Sequence, residues 1–484
     1  MQDPVTLPIS PLVASPEAPG EIAAFLDRNL PEQGLFAGRT LPGSRASWRI
    51  GLEAFPLPRS AVDTLVELGP ALLAFYRAAN RLYLQARKGK APEFVTRYLD
   101  SNKPDFLLRA SAMGRFKNQL PFVLRPDILV GPKNWAITEL DSVPGGIGLT
   151  ACLAELYAAR GADIIGGAEG MIHRFAEGMK AAMPNHGPEL CAIVVSEESQ
   201  DYRHEMAWLA ERLCETGLPC VTCAPEDLRF HSDAVWVPSG EGQEQQLGLV
   251  YRFFELFDWD NVDPDHLLLE AVRKRQVAMT PPIKPHLEEK ALLALLHAPG
   301  LRAWWRTELS PDHHQLLLSM IPPTWVVDPT PLPPAASIDG LEIDGNPATS
   351  FDQLKELTQR QRNLILKVSG FSPLSWGAKG VVVGHDLPQE EWSQVLQQAL
   401  DAHQTSPYVL QPFFHSRKFN VPFFDFEAQS ARSMSGRVRL CPYYMVDEEQ
   451  DQVHLTGALA TICPDDKKLL HGMQDAVMVP CRLQ

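Results

Sequence analysis

The chain has 484 residues, 45% of them hydrophobic and 21% charged, an ordinary globular composition and a length too great for one simple core. Its formal net charge of -15 excludes nucleic acid as the main partner, because phosphate backbones need a basic face, although a few local Lys and Arg suffice for one nucleotide. The opening stretch MQDPVTLPISPLVASPEAPG lacks the parts of a signal peptide, and no run of about 18 apolar residues could span a bilayer, so a cytoplasmic protein without membrane contact is expected.

Taken in chain order, residues 1–118 read as a Pro-rich leader followed by a mainly helical region. Ser60 and Asp63 suggest a capping box ahead of Leu65, Leu68, Leu72, Leu73 and Tyr76, which are spaced as one buried helix face. From Phe122 the pattern changes to short strands, FVLRPDILV and WAITELD. The turn Pro144-Gly145-Gly146 and a helix through Leu149, Leu153, Leu156 and Tyr157 follow, so residues 119–188 form the first part of a core.

Residues 189–282 read as an inserted α/β unit. The strand CAIVVS, a helix carrying Met206, Leu209 and Leu213, and the strand LPCVTC imply a βαβ crossover and a small parallel sheet, closed by LGLVYRFF. Cys220 and Cys223 make the one CxxC pair among eight cysteines; with no second pair to complete a zinc site, reduced thiols are expected. Residues 283–484 alternate helices and strands, beginning with a helix that contains Glu288, Glu289 and Lys290. NLILKVSG, a glycine-bearing loop, GVVVG, the helix EEWSQVLQQALDAH, SPYVLQPFF and GRVRLCPYYMV come after it.

Side chains two apart on a strand share a face. Three strands carry charges at that spacing: Arg125 with Asp127, Glu139 with Asp141, and Arg437 with Arg439. The pair Glu139 and Asp141 suits Mg²⁺, a hard cation that takes carboxylate oxygens and keeps phosphate and water as its other ligands; a solvated strand face or salt bridges are the alternative for any one pair. Lys367 ends an apolar strand and precedes SGFSPLSWGAKG, where a lysine beside loop amides can neutralise phosphate. The loop is not a Walker motif, and an ordinary strand–loop–strand reads as well. Arg252 reads as an ordinary salt-bridge partner and Trp304 and Trp305 as core. The tail run Asp465, Asp466, Lys467, Lys468 and His471 reads as a solvated turn or a mobile substrate loop.

In this order the motifs resemble the ATP-grasp superfamily, in the circularly permuted arrangement of eukaryotic glutathione synthetases and glutathionylspermidine synthetases. The matching positions are Arg125-Pro126-Asp127, Glu139-Leu140-Asp141 before Pro144-Gly145-Gly146, Lys290, Lys367 with Gly377 and Gly380, and SPYVLQPFF. The likeness runs over roughly residues 120 to 484 and lies in the succession of motifs. It implies an α/β (α+β) ATP-grasp fold with ATP and Mg²⁺ as cofactors. Glu139 and Asp141 would bind the metal, and Lys290 and Lys367 the phosphates or the adenine edge. Tyr408, Val409, Leu410 and Gln411 would offer backbone groups to adenine, with Gly377 and Gly380 in the flap. Arg125, with Asp127, would stabilise the transferring phosphoryl, and Arg437 or Arg439 would hold a substrate carboxylate. The chain departs from the pattern in having Asp141 where Asn is usual, and in having no acidic residue in the loop after Lys367.

The activity so implied is a carboxylate–amine ligase working through an acyl phosphate, with small-molecule partners (an amino acid, a peptide or a polyamine) and a homodimer as the assembly the resemblance allows. A phosphotransferase on the same fold, or a non-catalytic nucleotide-binding relic, are the alternatives.

Overall fold

The structure, a computed structural model, describes residues 18–38, 48–240, 242–375, 379–470 and 474–484. Its largest sheet is built around the 18-residue strand Ser430–Asp447. Lys418–Asp425 lies antiparallel against the first half of that strand, and Val123–Val130 lies antiparallel against the second. On its other side come Gln452–Pro464 and then Ala476–Leu483, both antiparallel. Trp135–Asp141 forms the far edge, hairpinned to Val123–Val130. At the opposite edge Trp48–Ile50 and Phe55–Leu57 run parallel to Ala476–Leu483, so the N-terminal region contributes strands as well as helices.

The helix Arg59–Ala86 packs on this sheet with Leu65, Leu68, Leu72, Leu73 and Tyr76 buried, as their spacing predicts. Its start differs from the expectation. Pro58 occupies the N-cap and no side chain caps the helix. Asp63 pairs instead with Arg59 one turn away, where two exposed side chains on adjacent turns meet more readily than they fold back on the backbone.

The α/β unit keeps the expected parallel core. Leu190–Val195 is flanked by Cys220–Cys223 and Glu244–Phe253, both parallel to it, and Ala278–Thr280 adds in parallel to Glu244–Phe253. An antiparallel ribbon, Arg229–Phe230 with Val235–Pro238, extends the sheet. The helix Arg203–Glu215 makes the crossover, and Gly217 at φ 80° ends it.

A third, antiparallel sheet runs Trp325–Val326, Tyr408–Pro412, Leu364–Val368 and Val381–Val383. The helix Gln389–Asp401 covers it through Trp392, Leu396 and Ala399, which are fully buried. Lys290 is not inside a helix as expected but is the N-cap of Ala291–His297. Its backbone N–H donates to Ser369 O (3.0 Å), so a tertiary bond replaces the helical one. No helix among the described residues is long and apolar enough to cross a membrane.

Candidate active site

The hairpin Val123–Val130/Trp135–Asp141 sets Arg125 opposite Asp141 and Asp127 opposite Glu139, so the two charged pairs share one face. Arg125 lies between carboxylates, Nε 3.2 Å from Asp127 Oδ1 and Nη2 2.9 Å from Asp141 Oδ2, and it donates to Gly145 O at 3.0 Å. From the spine strand, Arg439 Nη1 reaches Asp127 Oδ2 at 3.1 Å and Cys441 Sγ reaches Oδ1 at 3.4 Å. Burial works against both guanidinium charges, but Asp127 and Asp141 raise Arg125 well above its usual range, and Asp127 raises Arg439. Asp141 itself is pushed up, because burial outweighs Arg125.

The turn after the hairpin is fixed by close approach. A Cβ on Gly145 would fall 2.2 Å from the Tyr202 ring, and Gly146 has φ 85° with Tyr443 Oη 2.7 Å from where its Cβ would be. Glu205, wholly buried on the α/β unit, accepts the N–H groups of Gly146 (3.2 Å) and Leu149 (2.8 Å) at the start of the helix Ile147–Ala158.

Two lysines arrive from the other side. Lys290 Nζ sits 2.7 Å from Glu139 Oε1 and donates to Ser375 O, also at 2.7 Å, so it joins the hairpin to the loop after Lys367. Lys367 donates to Thr138 O at 3.2 Å. Burial lowers the Lys367 ammonium to about 8; Glu139 opposes the shift and Lys290 adds to it.

These groups line one cavity of about 460 Å³: Arg125, Asp127, Glu139, Asp141, Lys290, Lys367, Gln411, Arg437 and Arg439 all contribute to its wall. The other expected positions fall elsewhere. Tyr408, Val409 and Leu410 lie in the third sheet, where Val409 and Leu410 are paired on both sides, and the cavity wall begins at Gln411 and continues through Phe413, Phe414 and His415. Gly380 packs against Leu374 O and Val368, with no room for a Cβ, and Gly377 lies outside the described residues. Arg437 spends Nη1 on Asp465 O (2.6 Å) and Lys467 O (3.2 Å), tying down the segment whose Lys468, Leu469 and Leu470 reach the cavity. That part of the tail is therefore packed: Lys468 pairs with Asp386 and Lys418 with Asp465. His471 is outside the described residues.

Sequence reasoning missed Glu255 and, as a site residue, Glu288. Both line the cavity; burial raises both carboxyls, with Glu288 then Asp141 adding to Glu255, and Arg252 opposing at Glu288. Arg252 does form an ion pair, with Glu288, but it is fully buried and not on the surface. The signal available was position. Glu255 follows the carboxyl end of the parallel strand Glu244–Phe253, the end at which α/β sheets bind ligands.

The donor set admits a phosphate-bridged cation more readily than a metal held by protein alone. Among the described residues no group of three or more His, Cys, Asp or Glu could hold a metal ion. Two carboxylates on one strand face are what Mg²⁺ uses when phosphates complete its shell. Glu139, 37% exposed, opens to the cavity, whereas Asp141 Oδ1 accepts Val143 N and Oδ2 faces Arg125.

No family model matches the sequence, and no curated protein matches it. Among solved structures the chain is similar to a glutathione synthetase-like effector from Globodera pallida in its apo form, at 10% identity and a TM-score of 0.57, over 99% of this chain and 100% of that one. A candidate gamma-glutamylcysteine synthetase from Methylobacillus flagellatus aligns at 12% identity over 80% of this chain and 86% of that one, with a TM-score of 0.38, too weak a likeness to fix a fold. At such identity the first likeness concerns architecture alone. The chain is a mixed α/β protein that shares the overall fold of that glutathione synthetase-like effector.

Proposed function

We propose that the chain is an ATP- and Mg²⁺-dependent carboxylate–amine ligase of the circularly permuted ATP-grasp type. The observation that carries this reading is the single cavity wall on which Arg125, Glu139, Asp141, Lys290, Lys367 and Arg439 converge from four distant stretches of sequence. Glu139 and Asp141 would hold Mg²⁺ with the nucleotide phosphates, and the cation would supply charge neutralisation at the transferring phosphoryl. The name of the solved structure whose fold the chain shares, a glutathione synthetase-like effector, accords with this chemistry.

In the reaction, a substrate carboxylate oxygen attacks the γ-phosphorus and ADP leaves. An amine nitrogen then attacks the acyl carbonyl, loses a proton, and expels inorganic phosphate. Lys290 and Lys367 neutralise phosphate oxygens, and Arg125, held rigid by Asp127, Asp141 and Gly145 O, presents a fixed cation to developing charge. Arg439 and Arg437 lie on the same wall for an acidic substrate. Phe413, Phe414 and His415 offer apolar faces to a base.

The test is ADP release with Mg²⁺ and ATP, with panels of amino acids, peptides and polyamines added. Release that depends on both an acid and an amine supports ligation, and release to a hydroxyl acceptor alone points to a phosphotransferase. One observation favours a second reading as a nucleotide-binding protein without turnover: Lys290 already covers Glu139 and Arg125 covers Asp141. That version binds ATP and releases no ADP with any substrate pair.

A further inference from the structure

Behind the two lysines, outside the cavity wall, lies a buried polar cluster that joins three segments. Lys103, from the N-terminal region, forms an ion pair with Glu289, and both side chains are out of solvent (0% and 1% exposed). The other oxygen of Glu289 accepts the Ser369 hydroxyl. Ser369 Oγ in turn accepts Ala291 N at 2.9 Å, and Ser369 O accepts Lys290 N at 3.0 Å. Gly370 allows this contact, since a Cβ there would lie 2.6 Å from Glu288 O. Glu289 thus precedes Lys290 directly and Ser369 follows Lys367 by two residues, so one carboxylate welds the backbones that carry both lysines.

A buried ion pair gives little stability over an apolar pair of the same size, because desolvation cancels much of the attraction. What it provides is direction: each bond fixes a position and an angle that methyl groups would leave free. We propose that Lys103, Glu289 and Ser369 are positioning residues that set the spacing of Lys290 and Lys367, which makes the N-terminal region a working part of the phosphate site. The inference rests on the reading of those lysines as phosphate ligands. It assigns the N-terminal region a role beyond covering the large sheet. Ser101 Oγ strengthens the tie by donating to Gln404 O at 2.6 Å, just ahead of the strand Tyr408–Pro412.

The experiment uses the full chain as wild type, as the paired variant K103M/E289L and as S369A. The paired variant avoids leaving one buried charge alone, which could unfold the protein. Thermal midpoint, calorimetric Kd for Mg-ATP, and the side-chain signals of Lys290 and Lys367 in selectively ¹³C-lysine-labelled, nucleotide-free protein are measured for each. The expected result is a paired variant that melts near the wild type, shows moved signals for both lysines, and binds Mg-ATP about tenfold or more weakly, with S369A moving the same way by less. A folded paired variant with unmoved lysine signals and a Kd within about twofold of wild type overturns the inference while the nucleotide reading stands. If the wild type itself binds no Mg-ATP, the nucleotide reading falls, and the lysine signals alone decide whether the cluster positions them.

Discussion

Arg125 and Asp141 stand opposite each other across one hairpin, Nη2 2.9 Å from Oδ2, so the second carboxylate of the expected metal pair is also the partner of the central arginine. On the proposed reading Asp141 would carry two duties, and its carboxyl is pushed up because burial outweighs the attraction of Arg125. An amide at this position would still offer an oxygen to Val143 N and to a hard cation. Arg125 would keep Asp127 and Gly145 O. With its oxygen on Val143 N, the amide of D141N turns its NH2 toward Arg125 Nη2, so the variant is expected to be destabilised by about 1–3 kcal/mol in urea. Its Mg-ATP turnover should fall far less than that of E139Q, where loss should be about 10²-fold or more. Equal losses in the two variants would contradict this division of labour.

Glu205 couples stability to pH. Its carboxyl is raised from 4.5 to about 7 by burial, against the opposing pull of the Leu149 and Gly146 N–H groups. The folded state therefore holds a proton that the unfolded chain gives up near 4.5. The stabilisation from this group is complete below about 4.5 and is lost as pH rises to about 7. Urea unfolding of wild type and E205Q at matched pH values should show stabilities whose difference changes between pH 4.5 and 7 and is constant outside that window. A constant difference throughout would show that Glu205 titrates alike in the folded and unfolded chain and would contradict the upward shift.

The pairs Arg125/Asp127 and Glu139/Asp141 were legible because a strand has period two and a Pro-Gly-Gly turn marks its end. Lys367 was legible as the end of an apolar run. The place of Lys290 was not, because the bonds that pull it out of the helix come from Ser369, far away in sequence. Glu255 was missed because only the docking of the α/β unit brings it to the cavity. The strand Gln452–Pro464 is buried almost throughout from Thr456 on and shows no alternation to read, while Trp48–Ile50 and Phe55–Leu57 exist as strands only through pairing with the C-terminal Ala476–Leu483.

Gly69 tests the packing between the long helix and the spine strand. A Cβ there would lie 2.8 Å from Tyr444 Cδ1 and 3.0 Å from Val453 Cγ1, and Tyr444 is fully buried with its hydroxyl donating to Leu65 O at 2.7 Å. Alanine gains about 1 kcal/mol of helix propensity over glycine. Overpacking against a ring that cannot move costs about 1–3 kcal/mol. G69A should thus be destabilised by up to about 2 kcal/mol in chemical unfolding, and a more stable G69A would mean that the helix can shift off Tyr444 freely.

On the proposed reading, Lys367 would make nucleotide binding a proton-uptake event. Burial holds its ammonium at about 8 in the ligand-free protein, so near that pH a substantial fraction is neutral. Triphosphate oxygens beside Nζ would favour the charged form and return the group toward its ordinary range. Binding of Mg-ATP near pH 8 to 9 should then take up a fraction of a proton, and affinity should fall as pH rises through about 8. Below that region Lys367 is already charged, so uptake by this group should vanish on going down toward pH 6.5, more than one unit below about 8. Calorimetry in two buffers of different ionisation enthalpy separates the outcomes: a buffer-dependent heat near pH 8.5 that K367R abolishes, since arginine stays protonated throughout, supports Lys367 as the phosphate-facing group. The same uptake persisting in K367R would place the proton on another residue and remove Lys367 from contact with the nucleotide charge.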